Sequence, residues 1–220
     1  MIFRVVDKKL YQIKIRIDNE DEFITKNNTL NLIKVSENEL PKYTGEEVDE
    51  VFYQLDDNNN IIIDTDRTSK RAEQYKEEKK QKYLERLIKL CDLKTLEVKD
   101  MLTGQKVTEG LVERYKIKDE IARAYLKDGS YADDLKVEAD LNGMTVDELS
   151  KLIVQLADKY KSKLNYFYSL IEAFRVKTKK LINEYKFDIV NNIINTAYTF
   201  DANITPDDIK ALFKTINDNN

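Results

Sequence analysis

The sequence has no histidine and no tryptophan, one cysteine, two prolines and five glycines among 220 residues. Without histidine, the commonest general base and metal ligand near neutral pH is missing. That excludes zinc clusters of the usual donor sets, Ser-His-Asp triads and Cys-His dyads. The lone Cys91 permits no internal disulfide and suits a reducing compartment. Its place among Leu84, Leu87 and Ile88 at helical spacing marks a buried structural thiol rather than a nucleophile. Scarce Gly and Pro point to long regular elements with few tight turns. No apolar run approaches the roughly 18–20 residues of a membrane span. The start, Met1-Ile-Phe-Arg-Val-Val-Asp, lacks the pattern of a secretory signal. A soluble, cytoplasmic protein is therefore expected.

Phosphate and acid chemistry are equally thin. Leu102-Thr-Gly-Gln-Lys-Val-Thr108 has a Gly and a Lys but not the second Gly or the spacing of a phosphate-binding loop. The acid pairs Asp56/Asp57, Asp133/Asp134 and Asp207/Asp208 sit where helices and loops use carboxylates for capping. Asp56–Asn60 lacks the Gly and closing Glu of a calcium loop. No catalytic residue, cofactor site or metal site is expected, and the chain reads as a non-enzyme.

What is present begins with a helix. Thr145 followed by Val146, Asp147 and Glu148 is a reciprocal start signal, in which the hydroxyl and the carboxylate each satisfy a backbone N–H. Leu149, Leu152, Ile153, Leu156, Ala157, Tyr160, Leu164, Phe167, Ile171 and Phe174 then recur at steps of three and four, on one face of a helix. No Pro or Gly falls between Gly143 and Pro206. The pattern predicts a helix over 145–185, with a break near Lys161–Tyr168 as an option. One greasy face of that length needs other segments folded onto it.

Before it, residues 1–17 alternate in the strand sense, with Phe3 and Val5 opposed to Ile2, Arg4 and Val6, and Tyr11, Ile13, Ile15 and Ile17 in line. Asp7-Lys8-Lys9 is the expected turn. Leu30–Val35 and Glu50–Leu55 offer further strands, and Asp56–Asn60 is a turn-forming loop before Ile61–Ile63. Residues 1–65 therefore read as a small antiparallel β domain. Residues 66–92 form a charged connecting helix, exposed in its first half, and 93–216 an all-α helical bundle domain. Residues 217–220 are a disordered tail. Within the bundle, Leu93–Lys106 is a short helix or loop ending near Gly104. Helices are expected over Thr108–Lys127, Asp133–Leu141 and Asp188–Tyr198, and from Thr205-Pro206 onward. The fold class is α+β.

Charge divides along the same line. Residues 1–66 carry 8 Lys and Arg against 15 Asp and Glu, a balance of −7, which leaves +3 of the overall −4 for the rest. Lys159, Lys161, Lys163, Arg175, Lys177, Lys179, Lys180 and Lys186 are interleaved with Tyr160, Tyr166, Phe167, Tyr168 and Phe174. Cations among aromatics could track a phosphate backbone and stack bases. Several of these aromatics belong to the apolar stripe, however, and the overall pI is about 5.2. The stretch reads mainly as a solvated face, or one that meets an acidic protein. Nucleic-acid association or host inhibition through Lys159–Lys186 is the alternative function.

Three segments resemble a known family. Val51-Phe-Tyr-Gln-Leu-Asp-Asp-Asn-Asn-Asn-Ile-Ile-Ile-Asp64 is similar to a hairpin of phage tail fibre assembly (chaperone) proteins and tail-tip accessory proteins, where a charged helix follows as it does here. Glu113–Leu126 and Leu135–Tyr160, with the restart Gly143-Met-Thr-Val-Asp-Glu-Leu149, are similar to a helical module of phage and prophage tail genes. The resemblance spans roughly 48–185 and is one of pattern. The chain has no Trp at the opening of the first helix of that module, where Tyr115 stands instead, and nothing after Tyr185 corresponds. The resemblance implies a non-enzymatic assembly factor or minor tail component that binds a phage tail fibre protein. It would act in the host cytoplasm, with retention on the virion tail or homo-oligomerisation open. The β domain is then the fibre-binding part, with Tyr11, Ile13, Val51, Tyr53, Ile61 and Ile63 as the candidate contact residues.

Overall fold

A computed structural model of the chain describes residues 1–14, 19–200 and 205–217. The chain divides into two compact units, Met1–Gln81 and Lys82–Asn220. It is α+β, with a small antiparallel sheet followed by a mostly helical part.

The first unit is a five-stranded sheet in the order β3-β1-β2-β4-β5, every neighbour antiparallel. Its strands are β1 (Ile2–Val6), β2 (Lys9–Gln12), β3 (Leu32–Lys34), β4 (Tyr53–Leu55) and β5 (Ile61–Ile63). Asp7 (φ 49°) and Lys8 (φ 64°) make the two-residue turn between β1 and β2, both left-handed, the geometry that matches strand twist. Asp tolerates that conformation readily and Lys does not. Lys8 is held there by its carbonyl, which accepts from Leu55 N–H at 2.8 Å, and by its ammonium 2.7 Å from Asp57. Cross-strand pairing puts Phe3, Leu10, Ile33, Tyr53, Leu55 and Ile61 on one face, and these residues with Val35 and Leu40 form the core of this unit.

The α-helix of the sheet region has no counterpart in the expected strand pattern: α1 (Glu20–Lys26), capped by Asn19, whose side chain accepts from Glu22 N–H. Three acids in its first turn favour it through the helix dipole. The expected continuation of the first hairpin through Ile15 and Ile17 lies outside the described residues.

The expected connecting helix over 66–92 is part of a longer one, α2 (Thr65–Thr103), which absorbs most of the ambiguous 93–106 and ends at Gly104, φ +65°. Its first turns are less exposed than their charge suggests. Thr68 and Ala72 are buried because small side chains let the helix backbone approach its neighbours closely.

The second unit comprises α2 from Lys82 with α3 (Glu109–Asp128), α4 (Ala132–Leu141), α5 (Val146–Asn183), α6 (Phe187–Thr199) and α7 (Pro206–Asn217). Local signals set most of these ends. Thr108 accepts from Leu111 N–H to start α3, and Gly129 in the left-handed region stops it. Thr145 and Glu148 form the reciprocal cap of α5. Thr205 and Asp208 do the same for α7, with Thr205 N–H donating to Asp208 at 2.8 Å. Asn217 closes that helix, and the rest of the expected tail lies outside the described residues. α5 is continuous through Lys161–Tyr168, so the optional break does not occur. Its 38 residues span about 57 Å.

Apolar burial on α5 is divided rather than continuous. Near its start, Leu149 joins Ala122 of α3 and Leu135 and Ala139 of α4, with Ile121, Tyr125 and Ile153 alongside. Toward its end, Phe174 and Ile182 join Leu87, Leu90 and Cys91 of α2 and Val190, Ile193, Ile194 and Ala197 of α6. Between the two lies Leu156, on the same stripe but 56% exposed. Polar links support the second cluster. Arg86 donates to Asn191 (3.0 Å) and Asn195 (3.2 Å), and the Lys94 ammonium donates to the Tyr198 and Phe200 carbonyls at the end of α6. A cation there also suits the helix dipole.

Candidate functional site

Two surfaces carry the features that sequence reasoning associated with partner binding: the sheet of the first unit and the second half of α5.

In the sheet, backbone geometry decides which groups are free. Asp64 N–H donates to the Phe52 carbonyl and Asp56 N–H to that of Asn60, both at 2.9 Å. Antiparallel pairs alternate between bonded and non-bonded positions. Phe52/Asp64, Gln54/Ile62 and Asp56/Asn60 are therefore the bonded pairs, given the register Tyr53↔Ile63, Gln54↔Ile62 and Leu55↔Ile61. The N–H and C=O groups of Ile61 and Ile63 consequently point away from β4, at the end of the sheet. The opposite edge, β3, turns Leu32 and Lys34 outward by the same reasoning. That edge carries a charge: Lys34 lies 2.9 Å from Asp21 and 3.4 Å from Glu20 of α1. The Asp21 hydrogen bond raises the Lys34 pKa, so the ammonium stays charged. Lysines on edges discourage strand addition. β5 is all isoleucine and carries no charged side chain of its own.

The loop before β5 is built by its own side chains. Asp56 accepts from the Asn58 and Asn60 backbone N–H groups (both 2.8 Å) and from the Asn60 amide at 3.0 Å. The Asn60 side-chain bond leads the causes that hold the Asp56 carboxyl below its ordinary range.

After β5 the chain enters α2 through a polar knot. Buried Asp64 caps the helix by accepting from Arg67 N–H at 3.0 Å, and its other oxygen lies 3.3 Å from Arg67 Nε. The Arg67 guanidinium sits 4.5 Å from the Phe52 ring centre and 4.8 Å from that of Tyr11, and donates to the Leu10 carbonyl at 3.3 Å. Thr68 accepts from Phe52 N–H at 3.1 Å. One turn on, Arg71 is held bidentately by Asp49 (2.9 and 2.6 Å) and also by Glu78. Hydrogen bonding to Arg71 depresses both carboxyls.

The sequence-predicted contact residues are thus dispersed. Tyr53 and Ile61 turn their side chains to the sheet core, and Tyr53 meets Phe3 edge to face. Tyr11 lies on the other face, exposed and against Arg67. Ile13 and Val51 are half-buried outside the regular strands, although Ile13 N–H still donates to the Ile2 carbonyl. Ile61 and Ile63 are brought to the free edge by their backbone. Sequence reasoning did not single out Asp64 and Arg67. Their signal was an acid three residues before a basic residue at a helix start.

On α5, Lys159, Lys161, Lys163, Arg175, Lys177, Lys179 and Lys180 are all exposed, as is Lys186 just before α6, whereas Phe167 and Phe174 are buried. Two of the five aromatics that nucleic-acid binding would use are thereby turned inward, Tyr160 and Tyr168 are half-buried, and Tyr166 is exposed. Arg175 is engaged by Glu172 at 2.7 Å. Cys91 is buried, and burial pushes its thiol up to about 11, which keeps it protonated and unreactive at neutral pH. Among the described residues, no group of three or more Cys, Asp or Glu is placed to hold a metal ion, and no helix is long and apolar enough to cross a membrane.

Compared with protein-family models, curated proteins and solved structures, the chain matches none of them.

Proposed function

We propose that the protein is a non-enzymatic tail protein of a phage or prophage that binds the tail fibre protein during its assembly in the host cytoplasm. The observation that carries this reading is the edge of β5, free among the described residues, where Ile61 and Ile63 direct backbone donors and acceptors outward. An extended segment of a fibre chain adds to such an edge by main-chain hydrogen bonds, with side chains supplying selectivity. The family resemblance of 51–64 and of the helical segments supplies the identity of the partner.

Ile63→Pro tests it cleanly. Its N–H is not used within the sheet, so proline there blocks strand addition while the fold tolerates it. Ile62→Pro removes a bond inside the sheet and serves as the disruptive control. Co-expression with a tail fibre protein from the same genome should give a complex and a more soluble fibre, both lost in Ile63→Pro. If the wild-type chain yields neither, the reading is wrong.

A further inference from the structure

The most exposed apolar pair in the helical unit lies on the outer face of α4. Leu135 and Ala139 point inward to Ala122 and Leu149. Val137 and Leu141, one turn apart, face away and are 69% and 83% exposed. Asp133, Asp134 and Asp140 surround them, with Lys136 drawn to Asp140 at 3.1 Å. This is an acidic face with a greasy centre.

Its complement lies on the C-terminal half of α5. Arg175, Val176, Lys179, Lys180, Asn183 and Glu184 line a hollow of about 410 Å³. Val176 is 58% exposed at its centre. Lys179 makes no ion pair among the described residues, and Lys180 has only Glu184 at 3.9 Å. This is a basic face with an apolar centre.

The two cannot meet within one chain. α4 packs at Leu149, and Val176 lies 27 positions further along an unbroken helix, about 40 Å away. We propose that the acidic outer face of α4 docks into the basic hollow of α5 on a second copy of the protein. Opposite charge selects and orients the pair, and Val137 and Leu141 cover Val176. The contact is head-to-tail, so each copy keeps one free donor face and one free acceptor face, and association either closes into a ring or continues. A ten-residue helix face is a small interface, so the association is weak and depends on concentration.

Sedimentation velocity of the full chain is the test. At low salt the weight-average mass should rise over roughly 10–500 μM protein, and the rise should fade toward ~0.5 M salt as screening removes the attraction. K179E/K180E and D133K/D134K should each weaken association about tenfold or more. Mixing the two should restore association between unlike copies, because each face then meets one of opposite charge. All four substituted residues are exposed, and unchanged far-UV circular dichroism confirms that both variants fold. A wild-type chain that stays monomeric throughout overturns the proposal, as does association that neither variant weakens. Failure of the mixture to re-associate overturns it too. If K179E/K180E loses retention on heparin while self-association persists, the hollow serves a polyanion instead.

Discussion

The two units are held together by different means. In Met1–Gln81 the buried apolar set is small, centred on Phe3, Leu10 and Val35. Its attachment to the start of α2 depends on polar and π contacts: Asp64, Arg67 between Tyr11 and Phe52, and Arg71 between Asp49 and Glu78. In Lys82–Asn220 the larger cluster is almost wholly apolar, with Ile182, Val190, Ile193 and Ile194 fully buried. Strands of three to five residues cannot bury enough area to order themselves by the hydrophobic effect alone, so directional contacts supplement it. Helices of 13 and 38 residues present whole apolar faces and need fewer such devices. The sheet unit, with less apolar burial, is also the one with the free edge.

The largest test of that difference is in the helical unit. Ile194→Ala removes buried carbons where no solvent can follow and should cost about 3 kcal/mol or more. Chemical denaturation followed by circular dichroism at 222 nm reads it, and hydrogen exchange in the sheet should be nearly unchanged. Exchange that rises equally in both units would show that they unfold as one.

Arg67→Ala comes next. It leaves the Asp64 carboxylate buried beside an empty space and uncovers Phe52, at a cost of roughly 2–3 kcal/mol to the first unit. Arg67→Lys should recover only part, because an ammonium lacks the planar stacking surface and the fork that reaches the Leu10 carbonyl. Amide exchange at Leu10 and Tyr53 is the readout. Full recovery by lysine would reduce the knot to simple charge pairing.

The smallest effect is with pH. Asp49, Asp56 and Glu78 have folded values below their unfolded ones, owing chiefly to hydrogen bonds from Arg71 or Asn60. Their contribution is therefore complete above the unfolded carboxylate range of about 4 and is lost as pH falls through the lowered folded values. Glu148 and Asp208 behave likewise at their helix caps, so acid acts on both units. The sheet unit should loosen first, since it has less apolar burial to fall back on. Carbon-13 titration of the side-chain carboxyls checks the premise, and an Asp49 or Asp56 midpoint at the ordinary value would remove it.

Much of the architecture was legible along the chain. Thr108, Thr145 and Thr205 at their caps and Gly129 at its stop act within a few residues, so local chemistry identifies them. The 3.6-residue stripe of α5 and the alternation in β1 are likewise local. α1 carries no periodic signal because it has only seven residues, none of them fully buried.

The candidate surfaces were harder to read. Ile61 and Ile63 are unremarkable as residues, and only pairing with β4 and a place at the end of the sheet among the described residues make their backbone a free edge. Tyr53, another of the expected contact residues, is turned to the core by the same register. By itself, then, the amino-acid order determined where most helices start and stop, which faces are greasy and that no histidine is available, because hydrogen bonds and periodicity reach only a few positions. Tertiary structure decided which strand lies at the edge, that Arg67 is clasped between two rings and that α5 serves two separate cores. Those outcomes depend on groups tens of residues apart meeting in space, which no local pattern specifies.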